Sequence, residues 1–455
     1  MCRNALLALA AVGVAFADVA AGQPAADIDT RRELFVDSFL VESLEGDVTR
    51  QLHHPIPREI VHEYTAPWEG PTSAYMTILR DGDLVRLYLR GSGHEGGGEV
   101  TCMAESTDGI HFTRPELGLF EFGGSTANSI VWLGEGTHNF TPFVDTNPDC
   151  QPEERYKAIA GRPPLALASP DGIHWRKLAE DPVITEGAFD SQNLAFYDTE
   201  RGYYVCFLRD FADGVRTIRT CTSPDFVHWT EPEWLDYGDA PLEHLYTNAA
   251  VPYFRAPHIY LAFPNRYVPE RTKIPEHGER GVCDGVLMSS RDGVHWERWE
   301  EAFLRPGPDP LNWTDRNQHI AYGILPLSET ELSIYWTENY RHDTARLRRG
   351  TLRTDGFVSL HGGAEGGTAL TRPLIVGGSR LEVNYATSAV GSIRFEVLGS
   401  EEGAPLAISE ELFGDEITRV VEWVEGAELS LPEEGPIRLR IHLRDADLYS
   451  LRFLE

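Results

Sequence analysis

From about position 190 to position 355 the chain is written in short apolar runs, each stopped by Gly, Asp or Pro. One stretch has runs at 194–197, 202–208 and 215–222, the next at 249–254, 259–263 and 285–289, and the next at 319–324, 332–336 and 345–352. Runs this short, with glycine-containing breaks, predict β-strands and not helices. Past Gly362-Gly363-Ala364-Glu365-Gly366-Gly367 the pattern changes. Apolar and polar residues now alternate over 380–385, 392–398, 418–424, 437–443 and 448–453, most regularly in Ile437-Arg438-Leu439-Arg440-Ile441-His442-Leu443. A period of two predicts strands with one buried face, and residues 368–455 are expected to form a β-sandwich.

A repeat organises the earlier part. Ser106-Thr107-Asp108-Gly109-Ile110-His111-Phe112 returns as Ser169-Pro170-Asp171-Gly172-Ile173-His174-Trp175. It returns again as Ser223-Pro224-Asp225-Phe226-Val227-His228-Trp229 and as Ser289-Ser290-Arg291-Asp292-Gly293-Val294-His295-Trp296. Arg353-Thr354-Asp355-Gly356-Phe357 is a worn fifth copy, and the successive aspartates lie 63, 54, 67 and 63 residues apart. The motif reads as a turn. Asp-Gly supplies a positive φ, the Ser and Asp oxygens bond local amides, and the aromatic packs on the neighbouring unit. Histidines on turns spread around a ring do not converge on one metal. Three or four strands per repeat predict a five-bladed β-propeller over 33–361, with Leu34-Phe35-Val36-Asp37 supplying the strand that closes the ring. The expected fold class is therefore all-β, a five-bladed β-propeller followed by a C-terminal β-sandwich. Within it, Asp213-Gly214 lies midway between Cys206 and Cys221, which sets the two cysteines opposite each other in a hairpin, as a disulfide or as two thiols.

The N-terminus follows neither pattern. Arg3 precedes an apolar run over 5–16, and Ala15-Phe16-Ala17 has the form of a cleavage site. Residues 1–21 are read as a secretory signal peptide, with a membrane anchor as the alternative, and a secreted or periplasmic location is expected. No other stretch approaches the roughly 20 apolar residues of a spanning helix, so no membrane insertion is expected. With 71 acidic against 40 basic residues the net charge is −31, which argues against nucleic acid and anionic membrane surfaces as partners. There is no Cys-x-x-Cys, no His-Glu-x-x-His and no EF-hand loop, and no metal or other cofactor is expected.

A signal peptide, a propeller with Ser-x-Asp-Gly-x-His-Trp turns and a C-terminal sandwich together resemble the propeller glycoside hydrolases, families 32 and 68 with families 43 and 62. The tail from Leu370-Thr371-Arg372-Pro373-Leu374 to Leu443-Arg444-Asp445-Ala446-Asp447-Leu448-Tyr449 is similar to the sandwich of family 32. Leu34-Phe35-Val36-Asp37 resembles the opening of uncharacterised secreted bacterial propellers. The W-M-N-D-P-N, R-D-P and E-C signatures of family 32 are absent, with Arg209-Asp210-Phe211 a degenerate echo of the second, so fructan hydrolysis is not implied. What the resemblance implies is a glycosidase acting on a poly- or oligosaccharide.

In such a propeller the first strand of each blade starts at the axial mouth and the second ends there. The starts are Trp68-Glu69, His138-Asn139, Asp190-Ser191-Gln192-Asn193, Glu243-His244 with Asn248, and Asp315-Arg316-Asn317 with His319. The ends are Arg90 with His94, Arg162, Arg209-Asp210, Asn265-Arg266, and Glu338-Asn339. Glycoside cleavage usually needs two carboxyl groups. By resemblance to the acidic triad of family 32, Glu69 would be nucleophile or base, Asp190 the transition-state stabiliser and Glu243 the general acid, with Glu338 a rival acid. Candidate substrate-binding residues are Trp68, Arg90, His94, Asn139, Gln192, Asn193, Arg209, Asp210, Asn248, Arg266, Asn317, His319 and Trp336. The tryptophans either stack on sugar rings or pack between blades. The arginines suit an anionic sugar, uronic or sulfated, or else pair with Asp190, Asp210 and Glu243. Some propeller glycosidases hold an axial ion, which would set an ion such as Ca2+ near His319. The alternatives are a glycosyl-transferring or phosphorolytic enzyme on the same fold, and a non-catalytic glycan-binding protein.

Overall fold

The computed structural model describes residues 24–93, 98–399, 404–424 and 435–455. Residues 1–21, read as a signal peptide, and the candidate His94 lie outside the described residues. Among the described residues the regular structure is strand, with a few single-turn 3-10 helices, and no helix is long and apolar enough to cross a membrane.

Five four-stranded antiparallel sheets follow the repeat. The first is Ala74–Asp81, Leu84–Gly91, Val100–Ser106 and Ile130–Trp132. The second is Thr141–Val144, Tyr156–Ala160, Leu165–Ser169 and Arg176–Lys177. The third is Leu194–Asp198, Tyr203–Ala212, Val215–Ser223 and Glu233–Trp234. The fourth is Val251–Tyr253, Ala256–Ala262, Met288–Ser290 and Trp296–Arg298, with a small annex of His244–Leu245, Asn265–Val268 and Val282–Gly285. The fifth is Leu325–Pro326, Glu331–Glu338, Arg346–Arg353 and, from far upstream, Ile56–Glu63.

That last strand corrects the expectation for Leu34–Asp37. Ile56–Glu63 is mostly exposed, as an outermost strand should be. Leu34, Phe35 and Val36 are instead fully buried. Successive side chains on an extended backbone point to opposite sides. Leu34 and Val36 accordingly join the core under the fourth and fifth sheets, while Phe35 joins the core of the C-terminal sheet. The segment is a wedge between two cores and is not the fourth strand of the fifth sheet.

The repeated turns form as the sequence predicts. In the second copy, Asp171 Oδ1 accepts from the Ile173 and His174 amides at 2.9 and 2.8 Å, and Oδ2 lies 2.8 Å from His174 Nδ1. The Trp175 indole closes the turn by donating to the Gly172 carbonyl at 3.0 Å. The four histidines are 64–83% exposed, each held by its own aspartate, so they form no shared site. Each turn is docked on the preceding sheet. The Tyr335 hydroxyl of the fifth sheet donates to Gly109 at 2.7 Å, and Tyr88 of the first donates to Gly172 at 2.9 Å. Phe226 meets Phe143 of the second sheet, and Arg201, beside the third, donates to the Arg291 carbonyl. The fifth copy differs. Asp355 is fully buried, bonded by Tyr253 at 2.7 Å and Arg255 at 2.9 Å from the fourth sheet and by Ser450 at 2.6 Å from the C-terminal sheet. Cys206 and Cys221 pair in register across the Asp213-Gly214 turn, as free thiols.

In the C-terminal region Val358–Thr371 is one strand that runs through the glycine segment. It pairs with Val41–Leu52 on one side and with Arg438–Leu454 on the other, and Arg380–Leu398 lies beyond, within a seven-stranded sheet. The glycines sit at a bulge where backbones approach closely. A Cβ on Gly367 would lie 2.1 Å from the Glu45 carbonyl oxygen. Val41–Leu52 thus pairs with the C-terminal strands although it precedes the first of the five sheets.

The wedge is held by charge as well as by packing. Arg291, in the variable position of the fourth turn, bonds the buried Glu33 at 2.8 Å and Asp37 at 2.7 Å. Removing the cation leaves two carboxylates without it. We expect Arg291→Met to lower stability by about 3 kcal/mol, read as a shift in the denaturant midpoint at neutral pH.

Candidate active site

The inner ends of the sheets are stitched together by side-chain amides and hydroxyls. Asn139 donates to the Phe189 and Ser191 carbonyls, both at 2.8 Å, and Ser191 donates to the Tyr246 carbonyl at 2.6 Å. Asn265 donates to the Asn317 carbonyl at 2.9 Å, and the Met76 carbonyl accepts from the Tyr322 amide at 2.9 Å and from Gln192 at 3.1 Å. Asn193 and Asn248 likewise bond main-chain groups, and Asn317 bonds the Leu311 carbonyl, the Thr314 hydroxyl and the Tyr340 amide. The five candidates Asn139, Gln192, Asn193, Asn248 and Asn317 are all buried and employed in positioning strand starts.

Above this layer the structure gathers a cationic and aromatic cluster. Tyr75 begins the first sheet with a φ of 56°, next to a bulge, and its hydroxyl lies 3.5 Å from that of Tyr246. The Arg90 guanidinium sits 4.8 Å from the centre of the Tyr75 ring. Arg316 and Arg216 each face the Tyr246 ring at 5.5 Å, and Arg316 donates to the Tyr340 hydroxyl at 3.3 Å. Arg209 stacks on Phe211 at 4.7 Å, and its buried Nε has no hydrogen-bond partner. Burial raises the Tyr75 pKa well above its usual value, so Tyr75 is a neutral donor. His319 packs edge-on against Tyr75 at 5.5 Å. Burial, then the charges of Arg90 and Arg316, push its pKa down to about 3, so it is neutral. Two guanidiniums beside His319 do not fit a Ca2+ ion, which takes oxygen ligands. Among the described residues no group of three or more His, Cys, Asp or Glu is arranged to hold a metal.

At the rim His138 lies between two carboxylates. Its Nε2 is 3.0 Å from Asp190 and its Nδ1 is 2.9 Å from Glu99. Arg162 donates to Asp190 at 2.7 Å. Asp190 is 57% exposed, so it faces solvent above the buried arginines. Burial works to raise its pKa, but His138, Arg162 and Arg209 outweigh that and hold it below the ordinary aspartate value. The hydrogen bond from His138 lowers the Glu99 pKa as well. A proton on the imidazole thus has an anionic acceptor at either nitrogen.

The sequence-derived triad does not assemble. Glu69 is 1% exposed and bonded by His62 at 2.8 Å and Arg114 at 2.7 and 2.9 Å. Glu338 is clamped by Arg346 and Arg348, both at 2.9 Å. Glu243 pairs with Arg298 at 2.9 Å and faces Arg266 at 3.4 Å, beside the outer strand of the fourth sheet. Asp210 pairs with Arg219, and Arg266 is held bidentately by Asp284. Trp336 is core, and Trp68 is half-buried against the core of the first sheet. The physical reason is common to them. Each of these carboxylates is already matched to an arginine of its own neighbourhood. Of the candidates, Asp190, Arg90, Arg209 and His319 come together. Tyr75, Tyr246, Tyr340, Glu99 and Arg216 join them without having been singled out. Tyr246 and Tyr340 lie two and one residues beyond the strand termini scanned, so a slightly wider window would have found them, whereas Tyr75 lies six residues past Glu69 because the first strand starts later than the sequence suggests.

No family model matches the chain, and no curated protein matches it in sequence. Among solved structures it is similar to a glycoside hydrolase at 11% identity, over 65% of this chain and 92% of that one, with a TM-score of 0.45. It is similar to an N-acetylgalactosamine deacetylase from F. plautii, solved with blood group B trisaccharide, at 13% identity over 68% and 96%, with a TM-score of 0.46. It is also similar to a Bombyx mori GH32 beta-fructofuranosidase at 9% identity over 89% and 94%, with a TM-score of 0.43. Likeness this distant lends no residue a role.

The Glu69 environment makes a separable prediction. Burial would raise its pKa, but hydrogen bonds from His62 and Arg114 bring it down to about 2, from an ordinary 4.5. A depressed carboxyl stabilises the fold fully above 4.5, and that contribution is lost as pH falls toward 2. We expect Glu69→Gln to lower stability at pH 7 by about 3 kcal/mol and to flatten the wild-type loss of stability below pH 4.5, measured by urea unfolding at both pH values.

Proposed function

We propose that this chain is a secreted glycan-active enzyme, a glycoside hydrolase. Its site lies at the axial mouth of a five-bladed β-propeller that a C-terminal β-sandwich accompanies, with residues 1–21 as signal peptide. Support for the propeller comes from the docking of each turn on the preceding sheet, with the first turn returning to the fifth sheet. The observation that carries the activity is His138 held between two solvent-facing carboxylates, Asp190 and Glu99. Asp190 is the carboxylate that faces substrate, His138 carries the proton, and Glu99 orients it.

The step balances with the chain's own groups. The glycosidic C–O bond breaks as protonated His138 gives its proton to the leaving oxygen. Water adds to the anomeric carbon and loses a proton to Asp190, and that proton returns through the Asp190–His138 contact. Such positioned proton transfer is worth about a hundredfold or more in rate. The proposed chemistry uses no cofactor. The unpartnered Arg209 favours a second reading, phosphorolysis, in which inorganic phosphate replaces water.

The test is product release from neutral and acidic glycans, with and without phosphate, by wild type beside Asp190→Asn and His138→Ala. We expect release by wild type without phosphate and a loss of about a hundredfold or more in Asp190→Asn. The acid limb of kcat/KM should lie below pH 3.8, the ordinary aspartate value, and should move up in His138→Ala. Release only with phosphate supports phosphorolysis. Saturable binding without release supports a glycan-binding protein.

A further inference from the structure

We propose that Arg90, Arg209 and Arg316, set around Tyr75 and Tyr246, form a subsite for an oxyanion carried by the sugar, a carboxylate or a sulfate, and that the substrate is therefore an acidic saccharide. This rests on the glycan-active reading above, because it assigns the substrate of the same site.

The first ground is how the arginines are partnered. Elsewhere in the chain the guanidiniums near strand ends are matched to carboxylates: Arg266 to Asp284, Arg219 to Asp210, and Arg346 and Arg348 to Glu338. Arg209 is 4% exposed, yet among the described residues its side chain makes no hydrogen bond and no ion pair, and its Nε is left bare. Arg90 is 5% exposed, has an equally bare Nε, and lies no nearer to a carboxylate than 3.6 Å, from Glu99. A buried cation without a bonded anion is costly. An incoming oxyanion supplies the missing acceptor, and guanidinium is the side chain best matched to one.

The second ground is the neighbourhood. The Tyr75 and Tyr246 hydroxyls lie 3.5 Å apart at the same place, and the Tyr340 hydroxyl accepts from Arg90 at 3.4 Å and from Arg316 at 3.3 Å, so three O–H groups surround the guanidiniums. His319 is neutral with a bare Nε2, so it adds no competing charge. The third ground is the chemistry. Glycoside cleavage passes through an oxocarbenium-like state with positive charge on the sugar ring. A cluster of arginines beside the sugar opposes that state unless the sugar brings its own anion. A net charge of −31 repels anionic ligands at long range, so recognition has to come from this desolvated local cluster, where charge is screened least.

Calorimetric titration of the full mature chain tests this. The probes are glucose, galactose and mannose, each beside its uronic acid and its 6-sulfate, with inorganic phosphate as a separate probe. We expect at least one acidic member to bind about ten- to a hundredfold tighter than its neutral parent, and Arg209→Gln to abolish that preference. Arg266→Gln, outside the cluster, should keep it. Which arm binds, uronate or sulfate, identifies the oxyanion. Should Arg209→Gln misfold by its melting profile, Arg316→Gln at the half-exposed rim serves instead. The proposal falls if no acidic member outbinds its parent, if the preference survives both arginine variants, or if phosphate alone binds in an Arg209-dependent way. Acidic preference without turnover leaves this subsite standing and removes the hydrolase reading. Turnover of neutral glycans without that preference does the reverse.

Discussion

A four-stranded sheet cannot bury both of its faces alone, and the fold depends on how each sheet is fastened to the next. The fastening is a turn whose aspartate is satisfied from within. It accepts two backbone amides and its own histidine, and so the turn is an internally hydrogen-bonded knob that needs no polar partner for its aspartate. Tyrosine hydroxyls of the preceding sheet reach that knob at its carbonyls. Burial of Tyr88 and Tyr335 is possible because those carbonyls are there to receive them. Once the turns are docked, the inner ends of the sheets are brought face to face, and the axial cluster is a consequence.

The fifth turn shows the same logic put to another use. Asp355 keeps the position but loses the serine and the histidine, and its carboxylate takes partners from the fourth sheet and from the C-terminal sheet. Together with Glu33 and Asp37 on Arg291, it joins the two cores by charge where the Leu34–Phe35–Val36 wedge joins them by packing. Buried carboxylates throughout the chain are matched in this way. The cluster around Tyr75 and Tyr246 stands apart because there the guanidiniums outnumber the carboxylates that touch them: Glu99 lies 3.6 Å from Arg90 and Asp315 lies 3.6 Å from Arg316, while Arg209 has no ion pair among the described residues.

Turn chemistry and strand period are local, so the sequence by itself determined the all-β character, the repeated Ser-x-Asp-Gly-x-His-Trp turns and the Cys206–Cys221 register. Local pattern also determined that polar residues cluster where strands start and stop. It left undecided which of those residues converge, because one residue of register moves a side chain to the opposite face. Glu69 and Asp190 read alike in the sequence. Only the tertiary structure buries Glu69 between His62 and Arg114 and leaves Asp190, with His138 and Arg162, facing solvent. The same holds for the closing strand, since Ile56–Glu63 and Leu34–Asp37 both read as extended segments and their partners lie hundreds of residues away. The converging arginines belong to the tertiary structure for the same reason. Arg90, Arg209 and Arg316 come from three different repeats, and no pattern along the chain measures the distance between them.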